Sequence, residues 1–179
     1  TAEEYDGALA TLLAHPTVAA LDLEQTLHAV GVRVVAPGSF FQEHRRIDAT
    51  YMEKLTEAAT IAPLHLDYLH RELEQAHGVL PKVPLYGISD SAFHATLPDH
   101  ARRYAIPNED AERWDVYRFG YHGLSVGSVA RVLDLTRSSS RAVVCHLGSG
   151  ASVTALADGK SVDTSMGFTP DEGLTMATR

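Results

Sequence analysis

Cysteine is almost missing from this sequence. Cys145 is the one thiol in 179 residues, so no internal disulfide can form, and a reducing cytoplasm is the expected compartment. Long hydrophobic runs are missing too. None approaches the ~18 residues a membrane span needs, so no membrane partner is expected. The opening Thr1-Ala-Glu-Glu-Tyr5 carries no basic stretch followed by an apolar one, and no signal peptide is visible. Positive charge is in deficit: 15 Lys and Arg stand against 23 Asp and Glu, a formal net charge of −8. That argues against a general nucleic-acid partner, which wants a basic face. An anion would have to be held by a few cations gathered locally. There is no internal repeat, no low-complexity linker and no initiating Met. The sequence stops at Thr178-Arg179 directly after a motif-dense stretch, whereas natural C-termini usually trail off through mobile residues. The expectation is a part of a longer polypeptide.

What is present is globular. Hydrophobic residues make up 45%, enough for a real core in one or two domains. Apolar spacings of three and four predict short helices over residues 2–14 and 22–30, separated by Pro16. Residues 32–35 read as a short strand ended by Ala36-Pro37-Gly38. Asp48 is placed to cap a helix over 49–60, and Pro63 to open another that Gly78 would end. Residues 83–88 form a second strand, residues 98–114 one or two short helices, and residues 124–133 a helix. Then the pattern changes. Residues 141–147, 151–157 and 160–164 read as a meander of strands, turned at Gly148-Ser149-Gly150 and at Asp158-Gly159. The change predicts two domains meeting between Ser89 and Phe93.

Five stretches carry candidate chemistry, each with a plainer reading. His146-Leu-Gly-Ser-Gly-Ala-Ser152 could turn backbone N–H groups toward phosphate oxygens, or be an ordinary hairpin turn. Asp163-Thr-Ser-Met-Gly-Phe-Thr-Pro-Asp-Glu-Gly173 has no amphipathic period and is a long irregular segment of the kind that often carries function. Asp90, just after a strand, is either a functional acid or the N-cap of a helix starting near Ala92. His122, between Gly120 and Gly123, could donate to an anion or be a core histidine. Arg33, alone in an apolar strand, must reach the surface or meet an anion. Together these make a plausible phosphoryl-transfer set, although spacing alone cannot bring them together.

At these residues the sequence resembles the acetate kinase family. Ser91-Ala-Phe-His-Ala-Thr-Leu-Pro98, Tyr104-Ala-Ile-Pro107, Gly120-Tyr-His-Gly-Leu-Ser125 and His146 to Ser152 follow its motifs. Lys160-Ser-Val-Asp-Thr-Ser-Met-Gly-Phe-Thr-Pro170, with Glu172-Gly173 and Thr178-Arg179, is close to identical. Arg33-Val-Val35 and Ala62-Pro-Leu-His65 fall in the expected order.

The resemblance implies an α/β, two-domain ribonuclease H-like fold, of the actin, hexokinase and heat-shock ATPase type, here partial. Residues 1–91 would belong to the N-terminal lobe and residues 92–179 would open the C-terminal nucleotide-binding lobe. It implies transfer of the γ-phosphoryl group of ATP to acetate with Mg²⁺, in a cytoplasmic homodimer, the stretch alone being inactive. Asp90, His122 and Arg179 would be catalytic, with Asp90 near the magnesium. Arg33 would bind substrate with Val35, Leu64, Tyr121 and Pro170, these four around its methyl group. His146, Gly148, Ser149 and Gly150 would hold nucleotide phosphates. The family's His-Arg-Val-Val-His-Gly-Gly reads Val32-Arg-Val-Val-Ala-Pro-Gly38 here. Ser149 replaces an Asn, Tyr121 a Phe, and Ser89 a Phe. These departures bear on rate and acyl-chain preference. Propionate or butyrate as substrate, and a non-catalytic binding module, are the alternatives.

Overall fold

A computed structural model describes residues 8–135 and 140–177, without the side chains of Glu24 and residues 63–65. Two compact units are present. The first comprises the chain up to Val32 together with Arg45–Gly87; the second comprises Arg33–His44 and the chain from Ile88 onward.

In the first unit, helix α1 (Ala8–Ala14) is followed by one-turn helices α2 (Pro16–Ala19) and α3 (Leu23–Thr26). Residues 2–7 of the first predicted helix lie outside the described residues. Pro16 opens α2 at its first turn, where its missing N–H costs nothing. The helix predicted over 22–30 is a single turn. Leu27 is already extended, and the β-branched Val30, Val32 and Val34 take the chain into strand β1 (Val30–Val34). Strand β2 (Arg45–Arg46) pairs antiparallel with β3 (Leu85–Ser89), giving a sheet of order β1-β3-β2.

Helix α4 (Ala49–Ala59) starts where Asp48 Oδ1 accepts the Tyr51 N–H at 2.9 Å. Helix α5 (Pro63–Val79) packs on it. Their meeting faces keep helical spacing: Tyr51, Leu55 and Ala58 against Leu66, Leu69, Leu73 and Ala76, all buried. Gly78 does not end α5. It lies in open space inside the last turn, and the helix runs on far enough to put Leu80 into the core at 6% exposure. Gly87 has a different task, because a Cβ there would stand 2.2 Å from the buried Tyr51 hydroxyl.

In the second unit, a 3-10 turn (Ser39–Phe41), a 3-10 helix (Ala92–Thr96), α6 (Asp99–Arg102), α7 (Asn108–Trp114) and α8 (Gly123–Val132) precede an antiparallel meander. Its strands are β4 (Arg141–Leu147), β5 (Ala151–Ala157) and β6 (Lys160–Thr164), in that order. Asp158 and Gly159 both have positive φ, 51° and 73°, as a two-residue type I′ hairpin turn requires. Val126 and Ala130 of α8 bury themselves against Val144 and Leu156. A second cluster joins Tyr117, Phe119, Tyr121, Ala151, Met166 and Met176.

The Asp48 cap yields a direct prediction. Asp48→Ala should lower stability by about 1 kcal/mol, since the cap satisfies an otherwise orphaned N–H. The shift of the urea midpoint measures it, and no shift would mean that α4 does not depend on its cap.

Candidate active site

Asp90 directly follows strand β3 and is 1% exposed. Its main chain is tied down on both sides: its N–H donates to Val34 O at 2.9 Å, and its carbonyl accepts from Gly123 N–H at 2.7 Å. The carboxylate then gathers three donors. Arg33 Nε donates to Oδ1 at 3.2 Å and Arg33 Nη2 to Oδ2 at 2.8 Å, while the His122 N–H donates to Oδ2 at 2.7 Å. Asp90 is therefore not the cap of the following 3-10 helix. Ser91 occupies the cap position, without a capping side-chain bond.

The His122 backbone is left-handed, at φ 60° and ψ 18°. A non-glycine residue adopts this conformation only when its surroundings over-determine it. Asp90 does so, holding the N–H groups of residues 122 and 123 together. Gly123 cannot be replaced at this approach, since a Cβ would stand 2.4 Å from Asp90 O. One residue earlier, Tyr121 O accepts from His94 Nε2 at 2.9 Å, and His94 Nδ1 meets Ser161 Oγ at 2.8 Å. A carbonyl only accepts, so His94 carries its proton on Nε2, and the Ser161 hydroxyl donates to Nδ1.

Arg33 satisfies both readings of an arginine in an apolar strand: its side chain is 56% exposed and it meets an anion. Of a guanidinium's five N–H donors, two are spent on Asp90 and the rest remain for a ligand. Arg33, Asp90, His122, Leu124, Ser125, His146 and Gly150 line an open cleft of about 440 Å³. The rings of His122 and His146 stack there, centroids 3.9 Å apart and planes 21° from parallel. The turn after His146 is closed by Gly148 N–H donating to Gly150 O at 3.0 Å, and Ser149 O accepts from Ala177 N–H at 3.0 Å.

Arg33, Asp90, His122, His146 and Gly150 thus converge on one cleft. Gly148 and Ser149 sit in the turn beside it. Val35 packs instead against the aromatic cluster that contains Tyr121. Tyr121 is itself buried, its hydroxyl donating to Phe168 O at 2.5 Å, and burial pushes that phenol far above its usual range. Pro170 lies partly buried in the irregular stretch after β6. The Leu64 side chain and Arg179 lie outside the described residues. Sequence reasoning missed Ser152 and Ser125, whose hydroxyls meet His122 Nδ1 at 3.0 Å and His146 Nδ1 at 2.9 Å. A signal for Ser152 existed: a three-residue turn puts residues 146 and 152 opposite each other, as the register shows. Tyr104 was also missed. It donates to Glu172, and both hold the Phe168 N–H. Burial, then the Glu172 contact, pushes its phenol up to about 12.

A mixed α/β fold thus brings an arginine–aspartate clasp, a histidine stack and a glycine turn to one cleft. The chain belongs to the Acetokinase family, whose model matches residues 1–179. An acetate kinase of Caldanaerobacter subterraneus is 43% identical over 157 residues, covering 86% of this chain and 39% of that protein. One of Clostridioides difficile is 39% identical over 184 residues, covering 99% and 46%. Among solved structures, a propionate kinase from Francisella tularensis superposes with a TM-score of 0.82 at 35% identity, over 96% of this chain and 44% of that one. Porphyromonas gingivalis acetate kinase does so at 0.79 and 30%, over 100% and 46%. The chain therefore spans less than half the length of these relatives.

Burial is the first cause that holds both His94 and His122 below the ordinary histidine value of 6.5; for His122 the neighbouring His146 adds to it, and Asp90 opposes it in both. Both rings are neutral at neutral pH. Between their folded values and 6.5 the unfolded chain binds more protons, so stability rises with pH across that window. The contribution is complete above 6.5 and is lost as pH falls through the folded values. The urea midpoint should therefore fall between about pH 7 and pH 5, and ring resonances of both histidines should titrate below 6.5. Midpoints at or above that value would mean that the rings are not buried as described.

Proposed function

We propose that this chain contributes the anion-gripping centre of an acetate kinase, which transfers the γ-phosphoryl group of ATP to acetate, giving acetyl phosphate and ADP, and the reverse. The observation that carries the reading is the Asp90 clasp, which holds an exposed arginine and a neutral histidine on one side of a glycine turn. Phosphoryl transfer asks a protein mostly for positioning and charge neutralisation. In this reading a carboxylate oxygen attacks the γ-phosphorus in line, an acyl O–P bond forms, and the bond to the ADP oxygen breaks. Acetate is ionised at neutral pH, so no base is needed. The remaining donors of Arg33 and the His122 ring hold phosphoryl oxygens, with the nucleotide phosphates at His146, Gly148, Ser149 and Gly150. Asp90 cancels much of Arg33's charge, so a second cation is required, and Arg179 is the candidate. Val35, Leu64, Tyr121 and Pro170 are the candidates around the methyl group.

Mg²⁺ comes with ATP in this reading. Among the described residues no three His, Cys, Asp or Glu groups stand close enough to hold a metal. Both Asp90 oxygens already accept hydrogen bonds. Oδ1 keeps one acceptor position, which would suit a water of the ion's shell. We assign no step to the ion. A lobe formed with residues 1–91, a nucleotide lobe opened by 92–179, a cytoplasmic location, a homodimer, and inactivity of this stretch alone belong to the same proposal. No helix among the described residues is long and apolar enough to cross a membrane.

The similarity to a propionate kinase structure favours propionate as the second reading. A steady-state comparison separates them. Acetate should exceed propionate and butyrate in kcat/KM, each methylene being worth ~1–3 kcal/mol; a preference for a longer acid would reassign the substrate. Arg179→Ala in the complete enzyme should cut kcat by roughly 10²-fold or more, the usual worth of one charge-stabilising donor. Unchanged turnover would remove Arg179 from the mechanism. Calorimetry with ATP and Mg²⁺ tests the non-catalytic alternative, which predicts no heat of binding.

A further inference from the structure

The histidine stack has two edges, and they face different things. On one edge each ring is anchored at Nδ1 by a serine hydroxyl, crosswise between elements. Ser152 of β5 meets His122 at 3.0 Å, and Ser125 of α8 meets His146 at 2.9 Å. On the other edge lies the glycine turn. A Cβ on Gly150 would stand 3.1 Å from His122 Nε2, and one on Gly148 3.6 Å from His146 Nε2. The Nε2 atoms therefore face the turn, and the Nδ1 atoms face the serines.

Ser152 is 0% exposed, and His122 Nδ1 is its hydroxyl's one partner among the described residues. A hydroxyl has one hydrogen and two lone pairs. Leaving the buried hydrogen unpaired costs more than leaving a lone pair spare, because orphaned donors are the rarer defect in folded proteins. The Ser152 O–H therefore donates, Nδ1 accepts, and a neutral His122 keeps its proton on Nε2. His94 uses the same arrangement with Ser161, where a carbonyl on the far side fixes the direction.

We infer that Ser152 is a positioning residue for phosphoryl transfer: it fixes neutral His122 as the Nε2–H tautomer, so the ring presents a donor to an anion beside the Gly148-Ser149-Gly150 turn. With the other tautomer a ring lone pair would face the phosphate oxygens, and the contact would repel. This rests on the phosphotransferase reading, but the tautomer itself does not.

The test has two arms, both on the complete enzyme. In the first, ¹⁵N-histidine spectra are recorded at pH 7.5, with His122 assigned through the loss of its signals in His122→Asn. The expected pattern is a protonated Nε2 and an unprotonated Nδ1; a protonated Nδ1 overturns the inference, whatever the activity. In the second, Ser152→Ala should mix the two tautomers and lower kcat about tenfold, less than loss of a whole donor, with KM for acetate within about twofold. Ser152→Thr, which keeps the hydroxyl, should restore both tautomer and rate. An alanine variant that keeps the Nε2–H ring and full turnover also overturns it. If Ser152→Ala does not fold, the first arm decides alone. If the unmutated enzyme does not phosphorylate acetate, the functional reading falls while the first arm still reports on Ser152.

Discussion

One buried carboxylate organises the second unit. An isolated charge at 1% exposure would be expensive, and a protein avoids that cost by neutralising the group or by surrounding it with donors. Asp90 takes the second course. Its carboxylate joins the end of β1, through Arg33, to the turn that enters α8, through His122. Its carbonyl adds the Gly123 N–H. The same bonds that make burial tolerable hold His122 in a left-handed conformation it would not choose alone. Architecture and chemistry are thus not separable at this residue: the aspartate that holds the turn also aims the two groups that face the cleft.

Around this clasp the tasks are divided by chemistry. Arginine supplies a planar fork of donors whose charge is largely balanced by Asp90. His122 is kept neutral by burial and contributes direction rather than charge. The glycine turn contributes closeness, since a side chain at Gly150 would press on the His122 ring. Arg33 and Asp90 largely cancel each other, so under the proposed function the cleft would select by geometry more than by net charge. That suits a chain whose overall charge is −8.

The meander was legible because each signal was local. Two seven-residue runs rich in apolar residues, a glycine turn, and an Asp-Gly pair followed by the short Lys160–Thr164 segment fall where β4, β5 and β6 and their turns fall. The Asp48 cap was legible for the same reason. Helix ends that depend on distant packing were not: Gly78 reads as a stop, yet α5 passes through it to bury Leu80. The predicted helix at residues 22–30 yields to β1 because β-branched residues continue a sheet. Arg33 and His122 could be singled out by residue type, but no spacing joins either to Asp90. Only the family resemblance grouped them, and only the fold shows that Asp90 is their shared acceptor. The serines behind the histidines were hidden because serine is common and its role lies in which ring nitrogen it touches.

The path of the chain has a consequence for synthesis. Arg33–His44 packs with residues that begin at Ile88, while Arg45–Gly87 builds the other unit in between. Arg33 and Asp90 are 57 residues apart. At a ribosomal pace of about 5–20 residues per second, the nascent guanidinium waits roughly 3–11 seconds for its carboxylate. During that interval an intervening stretch with its own buried helical faces can settle first, leaving the clasp as a late event in maturation.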